Sequence, residues 1–294
     1  MHMQVILQIL INGFIISSIY ALGAVGFSLI FGTAGILNLA HGAFLVLSAM
    51  VAWFFISFFK LPLVAGIALG VLTSVIFSYL LFFLVVHPLD QSKKIPREEK
   101  EVFILTATLL WSMIIQGLLD YTFGSTPIVI APFTPGVVHI FNISVTYNEV
   151  ILAVVSLAII GLLYLLINRT KTGKMLLAAS MSHTGLALMG VELKKVYILL
   201  WGIYGLLAGV SGVLLASFLG ASSSSVPDLT GLAFSIVVLG GLGSITGSFF
   251  ASYIIGYLGT ITAYLISPSY TTLPAFFVLI LILFIKPRGL FGRF

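Results

Sequence analysis

The chain has no cysteine. A disulfide framework is excluded, and cysteine usage gives no sign of a redox compartment. Charge is nearly as scarce. Only 7% of residues are Asp, Glu, Lys or Arg, and residues 1–59 contain none of them. Against that scarcity stand a 60% hydrophobic content and a mean hydropathy of +1.24. No soluble domain of 294 residues needs so much apolar surface. The expected class is an all-α polytopic membrane protein, one transmembrane domain over residues 1–294.

Other absences narrow the function. Apart from His41, no Asp, Glu, Lys, Arg or His lies deep in an apolar run. Ion- and proton-coupled carriers usually keep such groups, because these carry the coupling charge. Sodium coupling through carbonyls and hydroxyls remains compatible with the sequence. No Asp-rich metal motif, no His pair at ligand spacing and no nucleophile elbow with a His partner is present, so neither a catalytic nor a metal residue is expected. The phosphate-cradling Gly-rich loop is missing too. Thr172-Gly173-Lys174-Met175 keeps a Gly-Lys pair but lacks the first glycine and the hydroxyl. If ATP drives this protein, another chain must bind it.

The net charge of +5 is explained by distribution and needs no nucleic acid. Twelve of the thirteen basic residues fall in three places. These are Lys93, Lys94, Arg97 and Lys100; Arg169, Lys171, Lys174, Lys194 and Lys195; and Lys286, Arg288 and Arg293. The positive-inside rule puts all three in the cytoplasm. Apolar runs lie near residues 5–31, 36–59, 62–86, 102–119, 149–168, 196–219, 230–242, 246–266 and 272–285. About nine crossings fit the basic clusters, with the N-terminus outside and the C-terminus inside. The seventh run is short for a span of roughly 20 residues. Met1-His2-Met3-Gln4 has no basic region, so the first run is expected to be a retained span rather than a signal peptide.

Three stripes of small residues suit close helix packing. They are Gly202, Gly205, Gly209, Gly212 and Ala216; Gly66, Gly70, Ser74 and Ser78; and Ser252, Gly256, Gly259 and Ala263. The outer loop, about 120–148, is rich in Pro, Thr, Val and Ile. A short hairpin is expected there, with Pro135-Gly136 as a turn signal. Asn142-Ile143-Ser144 fits a glycosylation triplet but is too common a pattern to carry weight.

The polar knot at residues 32–42, Gly-Thr-Ala-Gly-Ile-Leu-Asn-Leu-Ala-His-Gly, is poor material for a continuous helix. Broken backbone inside a bilayer is tolerated only where protein or a wet cavity satisfies its polar groups. Phe31-Gly32-Thr33-Ala34-Gly35-Ile36, then Gly42-Ala43-Phe44, is similar to Leu239-Gly240-Gly241-Leu242-Gly243-Ser244-Ile245, then Gly247-Ser248-Phe249. Paired broken helices in two halves of a chain point to a transporter's central site. Broken or re-entrant segments are thus expected near 32–42 and 240–247. Gly32, Gly35, Asn38, His41, Gly42, Gly240, Gly241 and Gly243 become candidates for the route. Asn38 and His41 either touch the cargo or tie the broken backbone together.

The inner loop, about 169–195, contains apolar helical stretches over 173–190. Such a loop can dock a soluble partner or lie in the membrane interface.

These segments carry a family resemblance over nearly the whole chain. The chain resembles the permease subunits of branched-chain amino acid ABC importers, specifically the smaller LivH type. The blocks are Tyr20-Ala21-Leu22 through Gly42, with its specific Asn38-Leu39-Ala40-His41-Gly42 element; Arg169 to Gly173 with Ala187-Leu188-Met189-Gly190-Val191; Leu207 to Leu214; Val238 to Gly247; and Lys286 to Gly292. The resemblance implies a cytoplasmic-membrane importer of a prokaryote, for branched-chain or other neutral amino acids. Its partners would be a second, related permease, two ATP-binding subunits that hold ATP and magnesium, and an external substrate-binding protein. Related permeases for urea, short amides or aromatic acids are the alternative, as is a carrier or channel without an ATPase. The loop would be the segment that couples to the ATPase, through Gly173, Met181, Ser182, Leu186, Ala187, Leu188, Met189 and Gly190. Here the chain departs from the family. Leu177-Ala178 and Ser182 stand where the family usually has an Arg-Ala pair and an acidic residue. Docking is then left to Met181, Leu186, Leu188 and Met189.

Overall fold

The computed structural model describes every residue except 1, 97, 141, 142, 293 and 294. Arg97, Arg293 and Asn142 therefore lie outside the described residues. Among the described residues, twelve α-helices make up most of the chain, with one small hairpin. They are α1 (His2–Ala34), α2 (His41–Ser57), α3 (Leu63–Leu81), α4 (His87–Gln91), α5 (Lys100–Phe123) and α6 (Tyr147–Arg169). Then follow α7 (Lys171–Met181), α8 (His183–Leu188), α9 (Leu193–Phe218), α10 (Val226–Gly240), α11 (Ile245–Leu265) and α12 (Leu273–Ile285). Strands β1 (Val137–Ile140) and β2 (Ile143–Thr146) pair antiparallel between α5 and α6. The hairpin forms where expected, but Pro135-Gly136 precedes it instead of turning it; the Gly136 carbonyl accepts from Tyr147 N–H.

Each of the nine apolar runs holds a helix. Among the described residues, eight helices are long and apolar enough to cross a membrane. The remaining one, α2, has 17 residues. Its run is shortened because residues 35–40 leave the helix. The span built on α3 runs through a π-helical turn at Phe82–Val86 into α4. Pro88 in α4 has no N–H to give. A widened turn just before it absorbs that mismatch, with His87 N–H reaching back to Phe82.

Helix α1 is central. It packs against α11, α9, α6 and α10, while α2 and α3 pack on α9. The stripes of small residues make these contacts. A Cβ on Gly209 would already touch Ser74 at 3.0 Å. Three hydroxyls stitch the same seam: Ser48 donates to Gly209 O (2.9 Å), Ser74 to Gly205 O (2.9 Å) and Ser78 to Trp201 O (2.8 Å). On the third stripe, Gly256 lies against Ser17 of α1. Small residues here serve close approach, where van der Waals packing and interhelical hydrogen bonds replace the hydrophobic effect. At the periphery α12 is scarcely buried, and α5 and α6 bury little of their length. Their apolar faces suit lipid.

The elements sort to two ends of the bundle. One end carries the hairpin region, where Ile128 bridges Ala221, and Asn148 donates to Ser217 Oγ at 3.2 Å. The other gathers the described parts of the three basic clusters. Lys100 donates to Asp90 O, Phe291 N–H reaches Gly240 O, and His183 of α8 reaches Thr33 O of α1.

Candidate functional site

Helix α1 ends at Ala34, where Gly35 takes φ +68. That conformation is costly for any residue with a Cβ. Residues 35–40 then double back beside α1. A Cβ on Gly23 would lie 3.4 Å from His41 Nε2, so His41 sits level with Gly23 and not with Ala34. Eleven helical residues separate those levels, about 16 Å at 1.5 Å per residue. Six residues of near-extended chain can span that return. Helix α2 consequently begins inside the bundle.

Side chains from distant helices hold this break. Asn38 Oδ1 accepts from Ala40 N–H (3.0 Å), and its Nδ2 donates to the Tyr204 hydroxyl of α9 (3.0 Å). That hydroxyl also contacts His41 Nδ1 at 3.0 Å. A hydroxyl that accepts from Asn38 still has its own proton, which His41 Nδ1 can accept in the tautomer protonated at Nε2. Nε2 is buried without a hydrogen-bond partner. Phe27 stacks on the ring at 5.2 Å. Leu39 N–H donates to Thr108 Oγ1 of α5 (3.1 Å), and Gly42 N–H to Thr230 Oγ1 of α10 (3.0 Å). The start of α2 has no cap of its own, since Ala40 stands at that position. Thr230 supplies from another helix what a capping residue normally supplies locally. Asn38 and His41 are fully buried.

The second glycine-rich segment is a different object. It is a four-residue turn, 241–244, between α10 and α11. Ser244 Oγ caps α11 by accepting from Gly247 N–H (3.1 Å). The C-terminal tail closes the other side, with Leu290 N–H on Leu239 O (2.8 Å) and Phe291 N–H on Gly240 O (3.0 Å). Gly240 packs on the backbone of Gly247 and Ser248, and Gly241 on Gly292. The two segments meet at one point: a Cβ on Gly32 would lie 2.8 Å from Gly243 O. So Gly32 and Gly243 come together. Gly42 packs near Val226 and Thr230, at the opposite end of α10 from that turn.

Two cavities flank the last turn of α1. One, about 370 Å³, is lined by Gly32, Thr33, Asn168, Ser180 and Gly243 among others. The second, about 660 Å³, is lined by Gly35, Leu37, Asp90, Lys100 and His183 among others. Gly35 opens into it, with nothing within 4 Å of where a Cβ would be. Asn38, His41 and Gly42 line neither.

The inner loop folds as two helices. Thr170 caps α7, its hydroxyl accepting from Gly173 N–H at 2.9 Å, and Ser182 caps α8 through Gly185 N–H at 3.0 Å. Gly173 is buried against the α6 backbone at Leu166 and Ile167. Gly190 ends the segment at φ +78. Met181, Leu188 and Met189 are 75%, 85% and 76% exposed, and Ala187 stands exposed beside them. Leu186, by contrast with these neighbours, is 3% exposed and packs on the inner face of α8.

The residues missed in the sequence are Tyr204, Thr108, Thr230 and His183. Tyr204 carries a usable signal, a hydroxyl inside an apolar glycine-striped run. The threonines carry none, because they look like ordinary span residues.

Comparison with known proteins follows this architecture from end to end. The family model described as the permease component of the branched-chain amino acid transport system matches residues 9–285. The high-affinity branched-chain amino acid transport system permease proteins BraD of Pseudomonas aeruginosa and LivH of Escherichia coli are each 26% identical, over 98% of this chain and 96% of their own length. A probable branched-chain amino acid transport permease protein LivH of Methanocaldococcus jannaschii is 28% identical, over 97% of this chain and 92% of its own. The solved structure described as PsaBC from Streptococcus pneumoniae in complex with Fab shares the fold at a TM-score of 0.51 and 18% identity, covering 95% of this chain and 92% of that one. The chain belongs to the family of permease components of branched-chain amino acid transport systems.

Proposed function

We propose that the chain is a permease subunit of an ABC importer that moves branched-chain or other neutral, hydrophobic amino acids inward across a prokaryotic cytoplasmic membrane. The observation that carries this reading is the family match over nearly the full length. The interior supports it. The broken helix around Asn38 is tied by neutral hydrogen bonds within the chain and carries no fixed charge. A weak, uncharged route suits an importer whose affinity resides in an external binding protein and whose energy resides in ATP-binding subunits.

In this reading a second, related permease completes the route. Two ATP-binding subunits hold ATP and magnesium and receive the apolar tip of Met181, Ala187, Leu188 and Met189. Gly32, Gly35 and Gly243 border the cytoplasmic end of the route, where both cavities open. Asn38, His41 and Gly42 act from behind it by fixing the shape of the break, with Gly240 and Gly241 fixing the turn. In this reading the end of the bundle that gathers the described basic residues faces the cytoplasm, the C-terminus with it and the N-terminus outside, as the positive-inside rule favours. The chain's own role is non-enzymatic. A carrier without an ATPase is not favoured, because the membrane interior offers no coupling charge.

The test is purification with natural partners, then uptake into proteoliposomes. Two ATP-binding subunits should co-purify, and leucine uptake should require ATP and the binding protein. Urea, short amides and aromatic acids serve as competing cargo. Leucine uptake that persists without ATP or without the partner chains would sink the proposal. A single cysteine at Met181 in this cysteine-free chain should react with impermeant reagent only from the cytoplasmic side.

A further inference from the structure

The last turn of a helix leaves its final carbonyls without partners inside the helix. In α1 the Phe31 carbonyl is taken by Gly35 N–H at 2.8 Å. The Thr33 carbonyl is taken from outside, by His183 Nε2 at 2.8 Å. A carbonyl only accepts, so His183 carries its proton on Nε2 and donates. His183 opens α8, next to the cap Ser182 and two residues beyond the exposed tip residue Met181. Tyr197 of α9 meets its ring edge to face at 6.1 Å. Among the described residues this is the only side-chain hydrogen bond joining residues 171–190 to a helix that is not their chain neighbour.

What the bond pulls on matters. Thr33 is two residues before Gly35, where φ is positive and no atom crowds the backbone. Beyond Gly35 the chain runs to the Asn38–Tyr204–His41 cluster. A push at Met181, the last residue of α7, therefore reaches the last turn of α1 through the His183 bond as well as through the packing of α7 on α1. It arrives beside the most open point of the break, at the wall of the larger cavity, which His183, Gly35 and Leu37 all line. The apolar face of α7, with Leu176 and Ala179 buried, holds the segment in place but offers no directional link of this kind.

We infer that His183 is a positioning residue that transmits movement of the exposed coupling tip to the broken end of α1. This rests on the coupling role proposed for residues 171–190. His183 lines the larger cavity, but its Nε2 is engaged by the Thr33 carbonyl. It fixes the distance between α8 and the Thr33 carbonyl, so that the two move together.

Two substitutions separate the bond from the ring. His183→Phe keeps a ring against Tyr197 and removes the donor. His183→Gln keeps an N–H donor and removes the ring. Both are assayed in the complete complex with ATP-binding subunits and binding protein. His183→Phe should lower leucine transported per ATP hydrolysed at least tenfold, with co-purification intact and ATP hydrolysis within twofold of the parent. His183→Gln should restore half or more of the ratio. A parent-like ratio in the Phe variant overturns the inference, and so does an equal loss in both variants. A single cysteine at Leu37 gives a second readout that does not depend on transport. Its modification rate should respond to nucleotide in the parent and in the Gln variant, and not in the Phe variant; a response in all three overturns the inference. If ATP-binding subunits fail to co-purify with the parent chain, it is the coupling reading itself that falls.

Discussion

Two glycine-rich breaks of similar sequence are held in unlike ways. The break after α1 is held by side chains from α5, α9 and α10, through Thr108, Tyr204 and Thr230. The turn after α10 is held by backbone, through Leu290 and Phe291 of the tail and the facing backbone of Gly32. A break held by side chains on several helices changes shape when those helices shift. A turn packed backbone to backbone has no such freedom. The first is the candidate moving part, and the second is its fixed abutment. The likeness between the two stretches therefore marks glycine's local chemistry rather than a shared role.

The contact between the two breaks gives the largest expected effect. Gly32→Val puts a branched side chain where Gly243 O leaves no room for a Cβ. Overpacking typically costs 1–3 kcal/mol, and backbone on the far side cannot yield as a side chain can, so about 3 kcal/mol is expected. Thermal melting in detergent should drop well below that of the parent. A normal melt would mean that the turn moves, and the contrast between abutment and moving part would fail.

Tyr204→Phe comes next. It strips the oxygen that serves both Asn38 Nδ2 and His41 Nδ1, leaving two buried polar atoms without that partner. Each such loss costs about 1–3 kcal/mol, and relaxation at the start of α2 offsets part of it, so about 2–3 kcal/mol is expected. Melting temperature and uptake should fall together. Uptake lost with stability unchanged would instead point to cargo contact at this cluster.

The backbone-held turn is tested by ending the chain after Pro287. Two backbone hydrogen bonds, on Leu239 O and Gly240 O, disappear. At about 1 kcal/mol each the cost is about 2 kcal/mol. A single cysteine at Leu242 should then react faster with a soluble maleimide. Unchanged reactivity would show that Gly32 alone holds the turn.

Much of this was legible in the sequence, and the illegible part has a physical reason. Apolar runs fix helices because the bilayer demands saturated backbone; hence every run holds one. Glycines marked both breaks, since they are poor helix formers. The partners of the first break are another matter. Leu39 and Thr108 are 69 residues apart, Asn38 and Tyr204 166, and Gly42 and Thr230 188. No local pattern encodes such pairings. The burial of Leu186 was illegible for a related reason. A six-residue helix gives too few positions to tell its inner face from its outer one.

The smallest effect belongs to Thr108→Val, which keeps the shape and removes one acceptor. Leu39 N–H then loses its only hydrogen bond from α5. Leu39 is half-buried rather than buried, so water can take over part of that bond. The loss should stay near 1 kcal/mol or below, against about 1–3 kcal/mol for a fully buried donor. Its value lies in where the loss falls. If the first break moves during transport, freeing one end of it should alter uptake more than melting temperature. If it is as fixed as the turn at 241–244, uptake and melting will shift by the same small amount, and the distinction between the two breaks disappears.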